Sequence, residues 1–318
     1  MNSNPDAAFS ASIRGRKENT LLRNVRKHKY LYLLGLPGMI FFLVFKYIPM
    51  YGVLIAFQDY NAFKGVWGSN WVGLEHFKRL FMENDFWMIT GNTVLISLLG
   101  LVFLFPAPIL LALLMNELRS AAYKRAIQTV IYLPHFISWV IVMSLTYLFF
   151  SSEQGLINKL ILALDGEKIA FLFDTSYFYP LIVSQGLWKD VGWGTIIYLA
   201  AIAGVNPSLY EAAKIDGAGK LDQIRHITIP AIMATVVILF ILSLGNMLDV
   251  NFEQMYLMQN PINTHLSEVY DTYVFKVGVQ QGQFSFSTAV GLFKSVIGLV
   301  LVLGANKLAN RFGREGIW

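Results

Sequence analysis

Six long apolar runs constrain this chain more than any other feature of its sequence. They cover about residues 31–57, 93–115, 127–150, 178–203, 232–248 and 288–308. The hydrocarbon core of a bilayer is about 30 Å thick, and a helix of about 20 residues crosses it. No water is present there to bond N–H and C=O groups, so a crossing segment must satisfy its own backbone, as a helix does. Pro37, Pro49, Pro106, Pro108 and Pro134 fall inside these runs, which membrane helices tolerate when neighbours re-satisfy the freed groups. Composition agrees: 55% of residues are hydrophobic and 14% charged, with a mean hydropathy of +0.52, where a soluble domain carries about a quarter charged residues. The expected fold is an all-α membrane protein with six transmembrane helices. It divides into a basic segment at 1–29, one membrane domain at 30–308 and a short tail at 309–318.

Charge sets the expected orientation, because Lys and Arg gather in cytoplasmic segments. With both termini inside, sixteen of the 25 lysines and arginines fall on inner segments. They include Arg14, Arg16, Lys17, Arg23, Arg26, Arg119, Lys124, Lys214, Lys220, Lys307 and Arg314. Six fall outside: Lys64, Lys78, Arg79, Lys159, Lys168 and Lys276. The net charge of +5 therefore reads as a topology signal, and no nucleic-acid partner is expected. The first apolar run is too long for a cleavable signal and lacks its small-residue cleavage site. There is no cysteine and the five histidines are scattered, so no metal site is expected. No phosphate-binding loop, Ser/His/Asp set or paired carboxylates stand out, so no catalytic residue is expected either.

Ionisable residues at membrane depth need explaining. Lys46, Lys189, Asp190 and Lys294 lie within apolar runs, where each costs roughly 2.5–3.5 kcal/mol on insertion scales. Lys189 and Asp190 are neighbours, so they point about 100° apart on a helix and are poor partners for each other. With Gln185, Trp188 and Trp193 they form a polar, aromatic stretch suited to a sugar-like ligand. The same residues also suit a helix interruption whose charges snorkel to headgroups. Asn246, Asp249, Asn251 and Glu253, beside Gln254, could line the mouth of a polar path or simply cap a loop. Lys294 could pair with Asp249 or Asp190, or snorkel. Among the outer segments, 58–90 carries Trp67, Trp71 and Trp87, rings suited to a membrane boundary. Residues 155–161 read as a short amphipathic surface helix, and 249–287 as a polar, aromatic loop.

The stretch 206–230, NPSLYEAAKIDGAGKLDQIRHITIP, is a polar island between the fourth and fifth runs. Asn206 suits a helix cap and Pro207 its first position. Gly217 and Gly219 stop that helix. A second short helical stretch, 221–226, then leads to Pro230. This bent unit is expected to be a rigid knob at the inner membrane surface, which implies a docking partner. Glu211 would make the specific contact. Ala212 and Ala213 keep the helix slim, and Gly217 allows the turn.

The spacing of Glu211, Ala212, Ala213, Asp216, Gly217, Ile227 and Pro230 resembles the cytoplasmic coupling loop of binding-protein-dependent ABC importers. Ile229 stands where that family usually has Leu. The stretches 47–52, 71–77, 132–139, 271–273 and 289–295 resemble permease subunits that import oligosaccharides, such as those for alginate and rhamnogalacturonan. They are also similar to the core of the larger maltose permease subunit, without its extra N-terminal spans and large external domain. The resemblance implies a type I ABC importer fold in a bacterial cell membrane. It implies a second homologous permease, two ATP-binding subunits that use ATP and magnesium, and an extracytoplasmic solute-binding protein, with no cofactor bound by this chain. Lys189 and Lys294 admit an acidic substrate. Two other classes remain: an ion-coupled secondary transporter using Lys189 and Asp190, against which no pair of interrupted spans stands in corresponding halves, and a non-transporting scaffold.

Overall fold

The computed structural model describes residues 27–311, 313, 316 and 317. The basic residues Arg14 to Arg26, and Arg314, lie outside the described residues. The described residues fall into two compact units, the first ending at Leu54 and the second beginning at Ile55. In the first, helix α1 (Lys29–Phe57) begins with exposed apolar side chains from Tyr30 to Tyr47.

The second unit holds a two-residue antiparallel ribbon, β1 (Gln58–Asp59) with β2 (Asn70–Trp71), and α2 (Glu75–Met82). The long helix α3 (Phe86–Asn116) follows. Then come α4 (Ala121–Phe136) and α5 (Trp139–Phe150), which meet at 101°. After α6 (Leu156–Ala163), α7 (Phe178–Ala203) meets α8 (Pro207–Ile215) at 71°. The chain continues through α9 (Lys220–Gly245), α10 (Phe252–Met258), α11 (Tyr270–Val274) and α12 (Phe284–Arg311). Four of these helices, α1, α3, α9 and α12, are long and apolar enough to cross a membrane, and up to six crossings result if each bent pair is one span.

Three prolines sit just after a widened helical turn: Pro49 after Leu43–Tyr47, Pro106 after Gly100–Leu104 and Pro230 after Ile224–Thr228. A proline ring clashes with the carbonyl four residues earlier. Here those carbonyls belong to Phe45, Val102 and His226, all inside the widened turns, where the i→i+5 pattern makes room. The helices therefore run through their prolines. This corrects the expectation of a separate short helix before Pro230, since Lys220 to Gly245 is continuous. Pro134 has no such turn: a 3-10 segment, Leu133–Phe136, ends α4 and the chain breaks.

α7 packs against the second half of α3, and α9 packs against α7 and α12. Close approach depends on glycine. A Cβ on Gly192 would lie 2.0 Å from the Ile131 carbonyl oxygen, and one on Gly298 would lie 2.4 Å from that of Gly245. Small residues at such crossings let backbones meet. The 249–287 segment is no loose loop. Its Met255, Met258 and Val269 pack with Ile96, Met143 and Phe178, while Tyr270 and Val277 pack with Leu80 and Phe286.

Candidate functional site

A cavity of about 540 Å³ is framed by α3, α7, α9 and the start of α10. Most of its wall is apolar, with Leu101, Phe105, Ile197 and Tyr198 among its members. One end is polar, where Ser97, Ser243, Asn246, Asp249, Asn251 and Gln254 gather. Behind that end runs a buried relay. The Gln254 side-chain amide donates to the Ile182 carbonyl at 3.0 Å and to the Gln185 Oε1 at 3.0 Å. Gln185 in turn donates to the Thr146 hydroxyl at 2.9 Å. Paired buried amides of this kind fix their neighbours in one arrangement. Asn251 accepts the Gln254 N–H and so caps α10. Of the residues singled out beyond the fifth run, Asn246, Asp249 and Asn251 line the cavity, and Glu253 is exposed away from its lining.

Lys294 is buried in α12 and has two carboxylate partners. Asp249 Oδ1 lies 2.7 Å from its Nζ, and Asp271 accepts a further bond from it. The other oxygen of Asp271 accepts the Val250 N–H at 3.1 Å. Burial pushes the Asp271 carboxyl above the usual range; the Lys294 bond and charge oppose this, and the Asp249 charge adds to it. The sequence offered Asp249 as a partner for Lys294, and the fold adds Asp271. Its sequence signal was membership of the 271–273 stretch that resembles the permeases, since it is one of several acids in 249–287.

The charges of α7 go elsewhere. Lys189 Nζ donates to the His135 carbonyl at 2.8 Å and to that of Ile137, with the Pro134 carbonyl at 3.5 Å. These are the oxygens freed where α4 ends. The ammonium also sits 5.6 Å from the Trp139 ring centroid. Asp190 Oδ1 lies 2.8 Å from His135 Nδ1, and the His135 ring stacks on Trp193, centroids 4.6 Å apart and 3° from parallel. Phe136 meets Trp193 edge-on. Lys189, Asp190 and Trp193 are thus gathered at the break between α4 and α5. None of them, nor the half-exposed Trp188, is in the cavity lining.

At the other end of α7, the 206–228 knob is built by local rules. Asn206 Oδ1 accepts the Ser208 N–H at 3.1 Å, ahead of Pro207 at the first helical position. Gly217 has φ +80°. Around it the Ala218 N–H reaches the Ala213 carbonyl at 2.8 Å and the Gly217 N–H that of Lys214 at 3.1 Å. This is the glycine-dependent helix stop in which two trailing N–H groups fold back. The Tyr210 hydroxyl bonds that of Thr228 at 3.0 Å, which joins α8 to α9. Lys220 pairs with Glu117 at the end of α3. Glu211, Ala212, Asp216 and Pro230 are exposed, Ala213 and Ile227 partly buried. Ile215 and Leu221 are 87% and 80% exposed, an apolar surface beside charged residues.

Comparison with known proteins gives a consistent result. The family model described as "Binding-protein-dependent transport system inner membrane component" matches residues 104–314. Protein LplB of Bacillus subtilis (strain 168) is 53% identical over 294 residues, covering 92% of each chain. The polygalacturonan/rhamnogalacturonan transport system permease protein YteP of the same organism is 54% identical over 302 residues, covering 95% of this chain and 94% of the relative. Among solved structures, a chain of a bacterial ABC transporter involved in the import of the acidic polysaccharide alginate is 39% identical. It superposes with a TM-score of 0.83, covering 92% of this chain and 99% of that one. A chain from a bacterial alginate ABC transporter in complex with a pentasaccharide-bound periplasmic protein is 38% identical. Its TM-score is 0.84, with 93% of this chain and 99% of that one covered.

Proposed function

The chain belongs to the family of binding-protein-dependent transport system inner membrane components, and from that membership we propose how its parts divide the work of import. It is the permease subunit of an ABC importer and not itself an enzyme. The cargo proposed is an oligosaccharide containing galacturonate, on the strength of the likeness to YteP and to the alginate importer. The proposed assembly has a second homologous permease, two ATP-binding subunits that hold ATP and magnesium, and an extracytoplasmic solute-binding protein. Six crossings with both termini inside place 206–230 in the cytoplasm, where an ATP-binding subunit can reach it.

The observation that carries this reading is the knob itself. It is rigid, capped at Asn206, stopped at Gly217, and exposes Glu211 beside Ile215 and Leu221. A partner groove would receive those side chains. When nucleotide brings the ATP-binding subunits together, the knob moves with them. The Lys220–Glu117 pair passes that motion to α3, and the unbroken α9 carries it to the cavity. Rigid elements with two arrangements are what such a switch requires. Asn246, Asp249 and Asn251, backed by Gln185 and Gln254, form the substrate wall. Lys189, Asp190 and Trp193 hold the break between α4 and α5, and Lys294 anchors the wall through Asp249.

Glu211→Lys tests the assignment. The expected result is loss of the co-purifying ATP-binding subunit and of uptake, with the chain still at its normal level in the membrane. Normal uptake would remove the coupling role assigned to Glu211.

A further inference from the structure

An acidic oligosaccharide needs compensating cations somewhere on its route, or at least an absence of like charge. The two deep lysines that the sequence offered for this task are both occupied. Lys189 is directed at the carbonyls of His135 and Ile137. Lys294 is buried between Asp249 and Asp271. Among the described residues no Lys, Arg or His lines the 540 Å³ cavity, and its single formal charge is Asp249. That carboxylate is 64% exposed, and two carboxylates share one ammonium behind it. The remaining wall offers the ring of Phe105 and neutral polar groups, from Ser243, Asn246 and Asn251, while Tyr198 is buried in the packing behind it.

Resting on the oligosaccharide reading above, we propose that this wall takes an uncharged, hydroxyl-bearing face of the cargo, and that Asp249 is a specificity-determining residue that turns uronate carboxylates away from it. The physical basis is simple. Ring CH faces pack on Phe105, hydroxyls bond the amides and Ser243, and like charge repels at short range even where water screens it in part. The cargo's carboxylates then face the second permease. The binding preference of this wall is thus opposite in sign to what Lys189 and Lys294 admitted from the sequence.

The test uses the complete importer with its solute-binding protein in proteoliposomes. The probes are trigalacturonate and its fully methyl-esterified form. Asp249→Asn is expected to raise the uptake ratio of acid to ester about threefold to tenfold, the range for one charge acting at partly screened short range. Asp249→Glu keeps the charge and is expected to keep the wild-type ratio. Chain level in the membrane is followed for both variants, and Lys294 retains Asp271 in each. A ratio unmoved by Asp249→Asn, or moved equally by Asp249→Glu, would overturn the charge assignment while leaving the importer reading standing. A wild-type importer that moves neither probe would overturn the galacturonate reading and this inference with it.

Discussion

Lys189→Met separates two opposing forces on a charge held at membrane depth. Met keeps much of the side-chain volume and removes the ammonium. In the native chain that ammonium makes two well-formed bonds, to the carbonyls of His135 and Ile137, while the contact to Pro134 at 3.5 Å is marginal. Bonds to a charged group contribute about 1.5–3 kcal/mol each, so the pair contributes about 3–6 kcal/mol. Removing the lysine returns the cost of placing it in the bilayer, roughly 2.5–3.5 kcal/mol. At mid-range the bonds win by a small margin, and the variant should be destabilised by about 1.5 kcal/mol. For a chain of this size each kcal/mol shifts the midpoint by about 1–2 °C. The assay is heat-induced loss of the folded chain in mild detergent, with proteolysis between 133 and 138 as a local readout. A midpoint equal to or above that of the wild type, with no new cleavage, would refute the argument, since desolvation would then outweigh the tether.

Gly217→Val should break the knob. At φ +80° a β-branched residue is strained by about 1–2 kcal/mol or more, so uptake should fall while membrane level is kept; full uptake would show that the turn is dispensable. Asp271→Asn should change the pH dependence of stability. Burial, opposed by Lys294, raises this carboxyl. The stability it contributes is therefore fully present below the ordinary value near pH 4 and is lost as pH rises through the raised one. The wild type should gain on the variant as pH falls from about 7 to about 4; melting points that move in parallel would contradict this.

How legible was the site? The knob was read well because its rules are local. A cap at Asn206, a proline at the first position and a glycine stop at Gly217 each act within a few residues. Pro230 was misread as a boundary because its effect depends on whether the preceding turn can widen, and nothing in a propensity scale encodes that. The 249–287 segment read as a loop because its helices are short and polar on one side. They are held by packing of Met255, Val269 and Tyr270 on distant helices rather than by their own propensity. Ser97 and Ser243 gave no signal at all. Each bonds a carbonyl four residues back in its own helix and so passes as an apolar position.

The sequence alone determined the medium and the material: long apolar runs leave no choice but helices, and the polar island among them must lie outside the hydrocarbon. Those are consequences of solvation and of chain-local geometry, and they survive any tertiary arrangement. What the deep charges do was decided only by the tertiary structure. Lys189 answers carbonyls more than fifty residues away, and Lys294 chooses Asp249 and Asp271 over Asp190. A buried charge is satisfied by whatever the fold brings within about 3 Å of it, and that distance is a property of helix packing that no stretch of sequence contains.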